Sequence, residues 1–165
     1  MKKILLTAAI VASTVSIAMS QTVLSPRVET EKGNVKISYG QPSKRDRVIF
    51  GKLVPYGEVW RTGANAPTEI SFKKDATFGG KSIKAGTYTL FTIPGEKEWT
   101  FILNSELKQA AASRYDEIKG KDVLKVTVPA ETISGAAVEK LTITLSGDKL
   151  VLEWDTTKVQ VPIKS

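Results

Sequence analysis

Along most of the chain apolar and polar residues alternate at period two, the pattern of strands with one buried face. The alternation is cleanest towards the end. Leu124, Val126, Val128; Leu141, Ile143, Leu145; Leu150, Leu152, Trp154; and Val159, Val161, Ile163 fall at every second position, with Lys, Thr and Glu largely on the opposite faces. Upstream, residues 27–30 and 35–39 read as two strands around a turn at 31–34, with Val35, Ile37 and Tyr39 on one face. Segments 68–72, 76–78, 81–83, 87–93 and 98–103 continue the series, and Gly79-Gly80 between two short strands is the best hairpin signal. Turn residues at 94–97 and Ser146-Gly147-Asp148 punctuate the rest. About nine or ten short strands at such spacing predict an all-β fold, a single antiparallel β-sandwich.

Four segments depart from simple alternation. Strands 87–93 and 98–103 are apolar on both faces: Tyr88 and Leu90 oppose Phe91 and Ile93, and Trp99, Phe101 and Leu103 oppose Ile102. They are therefore expected to be central and covered on both sides. Residues 40–67 form a long excursion with little strand pattern, and such excursions are functional or packed as covers. Phe50, Leu53, Val54 and Trp60 are the contacts through which it is expected to supply the second cover. Residues 104–120 are the one helical candidate, with Leu107, Ala111, Tyr115 and Ile118 on one face and Gly120 to end it.

The chain has 165 residues, and its first twenty are set apart. Lys2 and Lys3 precede an apolar run over residues 4–18, and Ala18-Met19-Ser20 places small residues where a signal peptidase reads them. The run is about fifteen residues, short of the roughly twenty that span a bilayer. Residues 1–20 are read as a cleaved signal peptide and 21–165 as a single β-sandwich domain, periplasmic or extracellular, with no membrane span after cleavage. No cysteine lies near the cut, which excludes a lipid anchor there, and none occurs elsewhere, so packing alone must hold the fold. The formal charge of +7 is scattered over turns and strand edges rather than gathered with aromatics, which argues against a nucleic-acid partner.

With no histidine and no cysteine, Ser-His-Asp and Cys-His catalysis, the usual zinc sites and thiol redox chemistry are excluded. No cofactor or metal is expected. The carboxylates Asp46, Glu58, Glu69, Asp116 and Glu117 show no spacing that marks a glycosidase pair, and Asp116-Glu117 with Asp122 does not match a calcium loop. The densest run of special residues is Val54-Pro55-Tyr56-Gly57-Glu58-Val59-Trp60-Arg61-Thr62-Gly63-Ala64-Asn65. Within it Glu58 and Arg61 are three apart and suited to a bidentate ion pair. Two readings stand side by side. In one, Arg61 ties the excursion to the sheet beneath Trp60. In the other, Arg61, Asn65 and Tyr39 converge on an anionic or polyhydroxyl ligand, with Trp60 or Tyr56 as a stacking face. Trp99 and Trp154 lie in alternating strands and are expected in the core.

Tyr39-Gly40-Gln41-Pro42-Ser43, Arg47-Val48-Ile49-Phe50-Gly51 and the run from Val54 through Asn65 together resemble a domain-of-unknown-function family of exported Gram-negative bacterial proteins. The likeness continues through Ala85-Gly86-Thr87-Tyr88-Thr89-Leu90-Phe91-Thr92-Ile93-Pro94-Gly95, Glu98-Trp99-Thr100, Leu152-Glu153-Trp154 and Val159-Gln160-Val161-Pro162-Ile163. It covers almost all of the expected mature chain and implies an exported β-rich domain with no assigned reaction. The sequence departs from the family pattern at Gln41, where the family carries arginine, and at Gln109-Ala110-Ala111, where it carries a tryptophan-glycine pair.

The expected function is a non-enzymatic binding or interaction module. Its candidate site comprises Tyr39, Tyr56, Glu58, Trp60, Arg61 and Asn65, and its partner is a small molecule or an envelope protein. Two alternatives are a hydrolase or lyase with Glu58 as base and Arg61 as electrostatic partner, acting on a carbohydrate or small acid, and a structural envelope protein bound along a sheet edge. No catalytic residue is assigned.

Overall fold

The computed structural model describes residues 24–108 and 111–164. The signal peptide expected over 1–20, and Gln109 and Ala110 of the departing segment, lie outside the described residues. The described residues form eleven strands: β1 (Arg27–Lys32), β2 (Val35–Gly40), β3 (Glu69–Phe72), β4 (Ala76–Phe78), β5 (Lys81–Ile83), β6 (Gly86–Ile93), β7 (Glu98–Asn104), β8 (Asp122–Thr132), β9 (Val138–Ser146), β10 (Lys149–Asp155) and β11 (Thr157–Lys164). All pair antiparallel. The path runs β1-β2-β3-β6-β7-β8-β11-β10-β9, with the β4–β5 hairpin attached to β11 through β4. Gly79 and Gly80 take positive φ of 58° and 81°, the backbone that a two-residue hairpin turn of this hand requires.

The eleven strands form one hydrogen-bonded sheet that closes on itself as two layers around one core, and β8 joins the layers. Residues 122–129 pair with β7, and residues 130–132 pair with the start of β11, so one long strand passes from the first layer into the second. The layers close on a common core that includes Ile37 and Tyr39 of β2, Leu90 of β6, Trp99 and Phe101 of β7, Leu152 and Trp154 of β10, and Val161 of β11. Each fully buried aliphatic or aromatic side chain of this kind contributes about 1.5–3 kcal/mol. The first and last parts of the chain meet across this core. The backbone N–H of Ile143 donates to the Tyr39 hydroxyl at 3.0 Å, and Gln41 Nε2 donates to the Leu141 carbonyl at 3.0 Å.

The both-sides-apolar strands are covered twice, as expected, but the expected segment contributes only Val59 to the second cover. Phe91 and Ile102, on the outer face of β6 and β7, pack against Tyr115 and Ile118 with Val59 and Ile93 beside them. Tyr115 and Ile118 come from α1 (Tyr115–Ile118), a single turn flanked by 3-10 turns at Ala112–Arg114 and Lys119–Lys121. This cover is shorter than the helix expected over 104–120, because β7 runs on to Asn104 and Leu107 stays exposed. Phe50, Val54 and Trp60 of the excursion instead join the main core, and Leu53 is exposed. The reason is strand parity. Trp60 donates to the Thr92 carbonyl at 2.7 Å and accepts from the Thr92 N–H at 2.9 Å, which lays it alongside β6. Side chains alternate across such a segment, so Val59 faces outward while Trp60 faces the core.

The excursion is stitched down at both ends. Pro42 accepts from the Leu141 N–H, and the Lys44 N–H donates to Glu139, so residues 42–44 cover the free edge of β9. Near the other end, the Ala64 N–H donates to the Gly40 carbonyl at 3.2 Å. A side chain at Gly40 would place its Cβ 1.9 Å from the Ala64 oxygen, and one at Gly63 would place it 2.9 Å from the Gly40 oxygen. Only glycine allows these backbones to approach so closely.

Candidate functional site

A cleft of about 500 Å³ opens where three parts of the excursion meet the end of β10. Pro42, Ser43, Arg45 and Arg47 form one side, Leu53 and Val54 a second, and Trp60, Arg61, Gly63, Ala64 and Asn65 a third, with Ser25 and Trp154 completing the wall. The aromatic part of that wall is well supported. Trp60 stacks on Trp154 with ring centroids 5.9 Å apart and planes at 16°, and it meets Trp99 and Phe50 edge-on. All three tryptophans of the chain thus share one cluster. Trp154 donates through Nε1 to the Glu139 carbonyl at 3.3 Å. Trp99 Nε1 is buried with no hydrogen-bond partner among the described residues, and the Phe50 and Trp99 ring centroids are 4.9 Å apart with planes at 73°.

The backbone around the cleft is strained. Of the five non-glycine residues with positive φ, Arg45 (51°) and Asn65 (61°) line it, and Thr62 (58°) lies between Arg61 and Gly63. For a β-branched residue such as Thr62 this is a true outlier, costing on the order of 1–3 kcal/mol. Thr62 is fully buried. Its hydroxyl pairs with that of Thr92 at 3.0 Å, and its carbonyl accepts from the Thr68 hydroxyl at 2.9 Å. These bonds hold the bend that carries Arg61 and Asn65 to the cleft wall.

Arg61 donates from Nη1 to the Asn65 carbonyl at 3.1 Å, and Asn65 donates from Nδ2 to the Ser25 carbonyl at 3.1 Å. Arg47 donates from Nε to Lys44 and from Nη2 to Ser43, both backbone carbonyls. The Arg45 N–H donates to the Glu139 carboxylate at 2.8 Å. Among the described residues none of the three guanidinium groups is paired with a carboxylate. No acidic residue is among those lining the cleft.

Of the six residues singled out in the sequence, Trp60, Arg61 and Asn65 come together here. Tyr39 is in the core at 1% exposure, its hydroxyl occupied by Ile143. Tyr56 is exposed at 41% and lies beside Gly51, off the cleft. Glu58 is exposed, also off the cleft, and its expected ion pair with Arg61 is not among the ion pairs of the described residues. Residues three apart on an extended segment point to opposite faces, which separates them. Arg45, Arg47, Ser43 and Trp154 were not singled out for the site. One signal was available: three of the five arginines in the chain fall between positions 45 and 61.

A family model described as a protein of unknown function, DUF2911, matches residues 20–163. The chain belongs to this family. No curated protein and no solved structure matches it. The DUF2911 match spans every residue that lines the cleft.

It also spans a second polar cluster in this DUF2911 chain, beneath α1. Asn104, fully buried, donates from Nδ2 to the Ile118 carbonyl at 2.9 Å and to Asp122 Oδ1 at 2.7 Å, while its own Oδ1 accepts from the Glu106 N–H. Tyr115 donates its hydroxyl proton to Asp122 Oδ2 at 2.5 Å, and Lys125 Nζ lies 2.9 Å from the same oxygen. Burial, and then the bond to Asp122, push the Tyr115 phenol above its ordinary value. The bond to Asp122, and then Tyr115, raise Lys125. Every group in this cluster has a partner, so its chemistry is that of a fastening.

Proposed function

We propose that this chain is an exported, non-enzymatic binding module whose ligand, a small molecule, sits in the cleft formed by residues 42–65 and Trp154. In this reading residues 1–20 are removed on export and 21–165 act as one domain in the periplasm or outside the cell. One observation carries it: a concave site with a tryptophan wall and convergent polar donors, the usual make-up of a small-molecule pocket. The strained backbone at Arg45, Thr62 and Asn65 adds to it, because such strain collects at ligand sites. The hydrolase or lyase alternative has less support, since Glu58 lies off the cleft and no other carboxylate lines it.

The test is a titration of the mature chain with a panel of glycans and small acids, following tryptophan emission and product formation together. The expected result is a saturable emission change, abolished by Trp60→Ala, with no product. Product that forms in the wild type and disappears in Glu58→Ala would replace this reading with the enzymatic one.

A further inference from the structure

We infer that the cleft selects anions, and that its ligand is a small molecule presenting a carboxylate or phosphoryl group to Arg45, Arg47 and Arg61. This rests on the reading of the cleft as a binding site and adds the class of ligand. The first support is the choice of cation. The chain has five arginines against nineteen lysines, yet three arginines and no lysine line the cleft. Eight of the nine ion pairs among the described residues are made by lysine. Surface charge balance in this protein is thus left to lysine. A planar guanidinium presents a rigid fork of donors that matches a carboxylate or phosphate two bonds at a time, which an ammonium does not.

The second support is which donors remain free. Arg47 is held by its two bonds to Ser43 and Lys44, which fix its guanidinium plane and leave Nη1 without a partner among the described residues. Arg61 uses Nη1 on Asn65, and its Nε and Nη2 have no partner among the described residues. The Arg45 guanidinium has none either. The acids nearby are already engaged. Glu139 accepts from the Arg45 backbone, and Asp155 faces Lys44 at 3.7 Å. Three like charges facing one concave space repel one another, and an anion placed between them removes that repulsion while accepting the free N–H groups.

The third support is the rest of the wall. Trp60, Trp154 and Leu53 offer apolar contact next to the guanidinium groups, and about 500 Å³ admits a ligand with a body as well as a charged head.

The experiment compares phenyl phosphate and benzoate with neutral benzyl alcohol, which has the same ring without the charge. Binding to the mature chain is read by calorimetry and tryptophan emission at low ionic strength. Phenyl phosphate or benzoate is expected to bind saturably, about tenfold or more tighter than benzyl alcohol, and more weakly as salt is added. Arg61→Ala and Arg45→Ala are each expected to weaken the anion about tenfold while the urea midpoint stays put. Arg61→Lys should fall between wild type and Arg61→Ala, because it keeps the charge and loses the fork. Phosphatidylglycerol vesicles form a second arm. Co-sedimentation with them, lost in Arg61→Ala and without any response to the soluble probes, would support the same anion chemistry and assign it to a lipid headgroup. Benzyl alcohol binding as tightly as phenyl phosphate, or anion affinity unchanged in both alanine variants, would overturn anion selection and leave the cleft as a binding site. A response to none of these probes would overturn both.

Discussion

The two polar clusters differ in what they leave unsatisfied. Beneath α1, the Asn104 amide, the Asp122 carboxylate, the Tyr115 hydroxyl and the Lys125 ammonium partner one another and the neighbouring backbone. At the cleft, the protein holds Trp60 and the strained backbone firmly and leaves the guanidinium groups largely free. A buried polar network with every member paired serves to fasten a segment, and removing a member strands the others. The cleft cations, without counter-charges, make only local bonds to carbonyls within four residues of themselves. The excursion is fastened by other means: by backbone bonds to β9 and β6 and by the close approach of Gly40 to residues 63–64.

Four substitutions test this division. Gly40→Ala attacks the excursion's backbone anchor. Its Cβ has no room beside the Ala64 oxygen, a main-chain atom that cannot rotate away. A loss of about 3 kcal/mol or more in urea unfolding is expected, together with loss of any cleft ligand. Asn104→Ala breaks the other cluster and leaves the buried Ile118 carbonyl and Glu106 N–H without a partner. It should cost about 2–3 kcal/mol with ligand binding at the cleft intact.

Tyr115→Phe is milder at neutral pH, about 1 kcal/mol, and its effect depends on pH. The folded phenol titrates above its ordinary value of 10.0, so the proton is held more tightly in the folded chain than in the unfolded one. Its stabilisation is complete below pH 10 and is lost as pH rises from there through the folded value. Urea midpoints at pH 9 and 11 should therefore fall more steeply for wild type than for Tyr115→Phe. Equal slopes would mean that the folded phenol is not held above its ordinary value.

The smallest effect is expected at Arg61. Its one described bond is to an exposed carbonyl, so Arg61→Ala should change stability by no more than about 0.5 kcal/mol. A loss of roughly 3 kcal/mol would make Arg61 a buried pin and erase the contrast between the clusters.

Alternation made the strands legible. β9, β10 and β11 lie within two residues of the bounds expected from sequence, 140–145, 149–154 and 158–163, because Leu141, Ile143, Leu150, Leu152, Val159 and Val161 all enter the core at period two. The two-sided burial of β6 and β7 was legible for the same reason. The identity of the second cover was not. Val59 and Trp60 are adjacent and both apolar, and only the pairing of Trp60 with Thr92 decides which of them faces the core. The site was half legible. Trp60, Arg61 and Asn65 stand in one conspicuous run, whereas Trp154 joins them from a strand ninety-four residues after Trp60, and no local pattern announces that. Tyr39 drew attention as a tyrosine at the edge of the excursion, but the same alternation that placed it on β2 also turned it inward.

The bond from Ile143 to the Tyr39 hydroxyl spans 104 positions, and the one from Gln41 to Leu141 spans 100. Contacts that distant are assembled slowly, because the loop between them must close before they return any free energy. During synthesis on a ribosome, the Tyr39 hydroxyl and the Gln41 amide wait for these partners until residues near 140 emerge, although β2 can already pair with β1 and β3. The cleft, which depends on both, is therefore among the last parts of the molecule to take shape.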